Sequence, residues 1–96
     1  MRITTINSYN LEPSLLHEER LEAVVRHLVN SGAESVLDLG CGSGVLLERL
    51  LLLPQFKNFI GIDVSMEDLS AAQHRLGLKN NFESDRIRLL HGSFTE

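Results

Sequence analysis

Apolar residues recur along the chain with two alternating periods. Leu15, Leu16, Leu21, Val24, Val25, Leu28 and Val29 fall mostly three and four residues apart, the spacing of one amphipathic helix. Pro13 and Ser14 precede this stretch, with Ser14 placed as its N-cap. Asn30-Ser31-Gly32 follows it, with Gly32 placed as a left-handed cap. Ser35 to Leu39 is short, apolar and β-branched, and a glycine cluster comes next, which predicts a buried parallel strand. Val45 to Leu53 predicts a second helix, stopped by Pro54. Phe59 to Val64 predicts a second strand. Ser65 caps a third helix over Met66 to Leu76, ended by Gly77. A polar connection over Leu78 to Asp85 leads to a third strand, Ile87 to Leu90, broken by Gly92. Residues 1–13 are polar and predict an extended arm ahead of a folded unit over 14–96.

Strands alternating with helices imply right-handed crossovers and a parallel sheet. The expected fold class is therefore α/β, Rossmann-like, with about three strands in the order 3-2-1. That is half of a doubly wound sheet. The 96 residues hold one domain at most, yet a fold of this kind usually needs about twice that length. The expectation is thus a partial domain.

Composition narrows the partners. Nine Lys plus Arg against thirteen Asp plus Glu leave a net charge of −4, so the basic footprint of nonspecific nucleic-acid binding is missing. One cysteine forms no internal disulfide and cannot build a Cys-based zinc site. No signal-peptide core opens the chain, and the densest apolar run, Leu50 to Leu53, is far short of a membrane span. The chain reads as cytoplasmic, with no membrane partner.

The candidate chemistry lies in Asp38-Leu39-Gly40-Cys41-Gly42-Ser43-Gly44, between a predicted strand and a predicted helix. Glycines allow a sharp turn and a close ligand approach, and the helix start beyond offers unpaired N–H groups. A dinucleotide fingerprint needs G-x-G-x-x-G. Counted from Gly40 the third glycine position is Val45, and counted from Gly42 it is Leu47. A P-loop needs a lysine the loop lacks. Both NAD and ATP are disfavoured. Asp63 ends the second strand, 19 residues after Gly44, where a carboxylate can accept hydrogen bonds from both hydroxyls of a ribose. The plain alternative is that the glycines make only a tight turn and Asp63 is a turn residue.

The loop and Asp63 together resemble the motifs of class I S-adenosylmethionine (AdoMet) methyltransferases. The resemblance implies AdoMet as cofactor. Asp38 would then face the positively charged methionine portion, Asp63 the ribose, and Val64, Ser65 and Met66 the neighbourhood of the adenine. Ser93, after Gly92, is the counterpart of a residue that reads the adenine amino group in many relatives, although there it is often acidic. The flanks resemble one subfamily more closely, the bacterial HEN-type small-RNA 3′-terminal ribose 2′-O-methyltransferases. The resemblance covers Pro13 to Thr95. It rests on Ser14-Leu15, Glu19-Arg20-Leu21 and Val24-Val25, on Val36 to Gly42 with Leu46-Leu47, on Gly61 to Ser65, and on Arg88 to Ser93 with Thr95. It implies methyl transfer to the 2′-hydroxyl at a small-RNA 3′ end, assisted by a divalent metal, Mg or Mn. In that family the metal ligands lie in segments after a fourth strand, so none is assigned to this chain. The isolated 96-residue chain is expected to be inactive.

Other candidates carry plainer readings. His17 and His27 lie ten residues apart on one predicted helix, about 15 Å along its axis, and cannot share a metal. His74 sits on another helix. His91, at a strand end, is the hardest to dismiss, because ligands bind at the carboxyl ends of such strands. Cys41 has no base near it in sequence and reads as packing. Glu18, Glu19 and Arg20 read equally as a solvated face or, by the resemblance for Arg20, as part of the site entrance. Glu67 and Asp68 favour the positive end of the third helix. Two further functions stay open: an AdoMet methyltransferase acting on a small molecule or protein, and a non-catalytic fragment that docks through its open sheet edge.

Overall fold

The computed structural model of the chain describes residues 2–8, 18–79 and 81–93. Its elements are β1 (Ile3–Asn7), α1 (Glu18–Asn30), β2 (Ser35–Leu39), α2 (Val45–Leu51), β3 (Asn58–Asp63), α3 (Met66–Arg75) and β4 (Ile87–His91). The four strands form one parallel sheet in the order β1-β2-β3-β4. The proposed caps at Ser14, the histidine at 17 and Thr95 lie outside the described residues.

The three expected strands are present and lie side by side in the expected order. The correction concerns the arm. Ile3–Asn7 is a strand paired in parallel with Ser35–Leu39, Ile6 opposite Asp38 and Asn7 opposite Leu39. The sheet therefore has four strands instead of three, and the edge of Ser35–Leu39 that the open-edge reading left unpaired is covered. Ile3-Thr4-Thr5-Ile6 is four β-branched residues in a row, which favours a pleated conformation even where half the residues are polar.

Strand order explains where the helices lie. Each successive strand is added in the same direction, and right-handed crossovers then place every connection on the same face. Burial alternates accordingly. Val36, Phe59, Ile87 and Leu89 are buried together with Leu21 and Leu28 of α1, Leu46, Leu47 and Leu50 of α2, and Leu69 and Ala72 of α3, in one core. On the opposite face Ile60 and Leu90 remain exposed, and Leu37, Leu39 and Ile62 are half-buried. Parallel sheets normally have both faces covered; among the described residues the helices cover one face only.

The helix ends follow the local chemistry. Gly32 and Gly77 sit at φ 74° each, in the left-handed region expected of terminal caps. Ser65 Oγ accepts the Asp68 N–H at 3.1 Å and caps α3. The helix α2 is two residues shorter than its expected span. The carbonyl of its last residue and two in the following connection are collected by one side chain, Arg86, which donates to the carbonyls of Leu51, Leu53 and Phe56 at 3.1, 3.3 and 2.7 Å. The same guanidinium lies 5.5 Å from the centre of the Phe59 ring, within cation–π range. This clamp fixes the α2–β3 connection against β4.

Arg86→Ala is expected to lower the unfolding free energy by about 2–3 kcal/mol, the range for hydrogen bonds to a charged donor. A urea titration should show a lower midpoint at unchanged slope. Arg86→Lys should recover only part of the loss, because an ammonium lacks the planar fork that reaches several carbonyls at once.

Candidate cofactor site

Every expected site residue lies at the carboxyl edge of the sheet, where open α/β sheets bind ligands. Asp38 precedes the last residue of β2 and is fully buried. Gly40, Cys41, Gly42, Ser43 and Gly44 form the turn from β2 into α2. Asp63 ends β3, Val64 and Ser65 form the turn into α3, and Ser93 follows β4, exposed at the same edge. The carboxyl end of β1 arrives there too, because Asn7 pairs with Leu39 and the buried Ser8 follows it.

The loop glycines have φ of 67°, 58° and 84° at Gly40, Gly42 and Gly44. Three left-handed residues in five explain why the spacing is G-x-G-x-G, since a side chain at any of them is strained. The curled loop is then tied to β3. The N–H groups of Gly40 and Cys41 both donate to the Ile62 carbonyl, at 2.7 and 3.0 Å. The Gly42 N–H donates to one oxygen of the Asp63 carboxylate at 2.8 Å. The other Asp63 oxygen accepts the Ser65 N–H at 2.9 Å.

Asp63 thus has a role that sequence reasoning missed. It clamps the glycine loop of one crossover to the first turn of the next. A carboxylate has about four acceptor positions, and two are occupied by backbone N–H groups. The remaining capacity suits a pair of hydroxyls. The signal lay in the spacing of two motifs, but spacing alone does not reveal that one motif holds the other.

Cys41 packs where the sheet leaves room for it. A Cβ placed on Gly61 would come within 2.9 Å of Cys41 Sγ and 3.0 Å of both Leu47 Cδ1 and Leu89 Cδ2. Gly61 therefore has no side chain because the thiol and two leucines occupy that space, a requirement of close core packing. Burial first, and then the negative charges of Asp38 and Asp63, push the thiol up to about 12. At neutral pH it is a protonated, buried group, which matches the packing reading and not a nucleophile.

Two pairs of charged side chains join neighbouring helices. Glu18 and Arg49 pair at 2.6 Å between α1 and α2, and Glu48 and Arg75 at 3.2 Å between α2 and α3. All four are substantially exposed, so each pair adds little to stability. Arg20 is exposed on α1. His27, His74 and His91 lie on α1, on α3 and at the end of β4.

The thiol makes a direct test of the packing. Cys41 in the folded protein should react with iodoacetamide at pH 7 at least about a hundredfold more slowly than in strong urea, because both thiolate fraction and access are suppressed. Rapid labelling of the native protein would contradict this environment.

Comparison with known proteins agrees with this architecture. A family model described as "Methyltransferase domain" matches residues 36–96. The small RNA 2′-O-methyltransferase of Arabidopsis thaliana is 36% identical over 84% of this chain and 9% of its own length. The mouse protein of the same name is 34% identical over 84% of this chain and 22% of its own length. The release factor glutamine methyltransferase of Caulobacter vibrioides is 36% identical over 88% and 27%. The chain thus spans about a quarter or less of these relatives. Among solved structures, the methyltransferase domain of bacterial CtHen1 matches with a TM-score of 0.72 and 40% identity, over 79% of this chain and 40% of that one. SAM-bound CalS10, an amino pentose methyltransferase, matches with a TM-score of 0.57 and 26% identity, over 90% and 33%. A one-directional parallel sheet, a left-handed glycine loop clamped by Asp63 and a family match across most of the sheet lead to one conclusion: the chain belongs to the methyltransferase-domain family and has the class I AdoMet-methyltransferase fold.

Proposed function

We propose that the protein is an AdoMet-dependent methyltransferase acting on the 2′-hydroxyl of the 3′-terminal nucleotide of small RNA, and that this chain supplies its cofactor-binding half. The observation that carries the cofactor reading is the Asp63 carboxylate, held by Gly42 and Ser65 with acceptor capacity to spare at the carboxyl edge. Asp63 accepts the ribose hydroxyls. The loop from Gly40 to Gly44 lets the methionine portion approach the backbone without Cβ clashes. Asp38 lies beneath that loop as the negative group for the cofactor's cationic end. Val64 and Ser65 line the adenine side, with Ser93 at the edge beyond β4. When bound, AdoMet supplies a methyl group made electrophilic by its sulfonium.

The RNA acceptor is supported by the names of the relatives and by the flanking residues that resemble the HEN-type subfamily. The Caulobacter relative, of similar identity and named for glutamine methylation, keeps a second reading in view, a protein or small-molecule acceptor. In the family that the chain resembles, the ligands of the Mg or Mn lie in segments after a fourth strand, and none is assigned to this chain. Among the described residues no group of three His, Cys, Asp or Glu side chains is placed to hold a metal ion.

Isothermal titration of the complete protein should show AdoMet binding. Asp63→Asn should weaken it by about 1.5–3 kcal/mol for each charge-assisted bond lost, because an amide presents one acceptor oxygen instead of two. Radiolabelled methyl transfer to a small RNA should disappear when the terminal nucleotide is 2′-deoxy. Persistence of transfer to that RNA would remove the ribose acceptor, and an absence of AdoMet binding would remove the enzyme reading. The isolated 1–96 chain should transfer no methyl group under the same conditions.

A further inference from the structure

His91 is a functional candidate in the sequence that the cofactor reading leaves without a task. It closes β4 directly opposite Asp63 in the strand register. Two hydrogen bonds join this strand end to the turn after β3. The Gly92 N–H donates to the Asp63 carbonyl at 3.0 Å, and His91 Nε2 lies 3.0 Å from the Val64 carbonyl oxygen. A carbonyl only accepts, so Nε2 carries the hydrogen and the tautomer is set. Both peptide planes that follow Asp63 are thereby held from β4, one by backbone and one by a side chain.

The geometry points to His91 as a positioning residue for the nucleoside half of the bound cofactor. This rests on the AdoMet reading above and adds a residue to it. The Asp63–Val64 backbone determines two things at once. It aims the Asp63 carboxylate, whose oxygens meet Gly42 and Ser65. It also presents the Val64 side chain, 58% exposed, at the mouth of the site beside Met66, 44% exposed. Two apolar side chains standing in solvent at the carboxyl edge make a shelf for the flat face of a purine. The His91 N–H holds the peptide from which that shelf projects.

Stability and affinity separate here. His91 is exposed, so water can replace its N–H at the Val64 carbonyl when the side chain is removed. No buried group is stranded, and the fold should lose little. The orientation of the shelf is what loosens, and that is read only when a ligand uses it. The conservative replacement follows from reach, because a glutamine amide nitrogen occupies about the position of Nε2 and can donate to the same carbonyl.

The test uses the complete protein, S-adenosylhomocysteine, and 5′-methylthioadenosine, which keeps the nucleoside but lacks the amino-acid head. His91→Ala should weaken both ligands by a similar factor, about threefold to tenfold for one positioned hydrogen bond. The melting temperature without ligand should stay within about 2 °C of the wild type. His91→Gln should restore most of the affinity for both ligands. Unchanged affinity in His91→Ala would overturn the inference while leaving the cofactor reading intact. So would weakening confined to S-adenosylhomocysteine, a failure of the glutamine to rescue, or a loss of affinity that only follows a loss of stability. If the wild-type protein binds neither ligand, the cofactor reading falls and the inference falls with it.

Discussion

The carboxylate of Asp63 is the interaction on which the rest of the site depends. It is almost fully buried, and a buried charge is tolerated only when hydrogen bonds replace the water it has lost. Here the replacements are two backbone N–H groups from different crossovers, Gly42 before α2 and Ser65 before α3. One side chain thus fixes the glycine loop relative to β3 and starts the next helix in place. A loop of three left-handed glycines has little conformational preference of its own. Tied to Ile62 and Asp63 it becomes one defined surface.

The same region shows how packing and electrostatics constrain each other. Gly61 lacks a side chain so that Cys41 can fold inward from the loop. Burial, and then the negative charges of Asp38 and Asp63, keep the thiol protonated. A larger residue at position 41 would push the loop away from β3, and a charged one would add to the negative field. A small neutral side chain satisfies both demands. Farther from the site, Arg86 does for the α2–β3 connection what Asp63 does for the loop, gathering three backbone carbonyls onto one side chain.

Much of this was legible in the sequence, for reasons that differ by element. Ser35–Leu39, Asn58–Asp63 and Ile87–His91 were readable because short apolar, β-branched runs between glycines and helical periods have few other solutions. Gly32, Gly77 and Ser65 were readable because caps are chemically specific. Ile3–Asn7 was not, since its pairing with Ser35–Leu39 is a contact between segments about thirty residues apart and its polar threonines mask the β-branched run. The positions of Asp38, the glycine loop and Asp63 at one edge followed from topology. The bond from Gly42 to Asp63, the space over Gly61 and the reach of His91 to Val64 are three-dimensional facts that no spacing announces.

On the AdoMet reading, the Asp63–Gly42 bond is part of the binding-competent site and not a contact that a ligand displaces. A crystal structure of the complete protein with S-adenosylhomocysteine tests this directly. The expected result is both ribose hydroxyls on the Asp63 carboxylate, with the Gly42 and Ser65 N–H groups still bonded to it. A ligand bound elsewhere, or an Asp63 side chain turned away from Gly42 to reach the ribose, would contradict it.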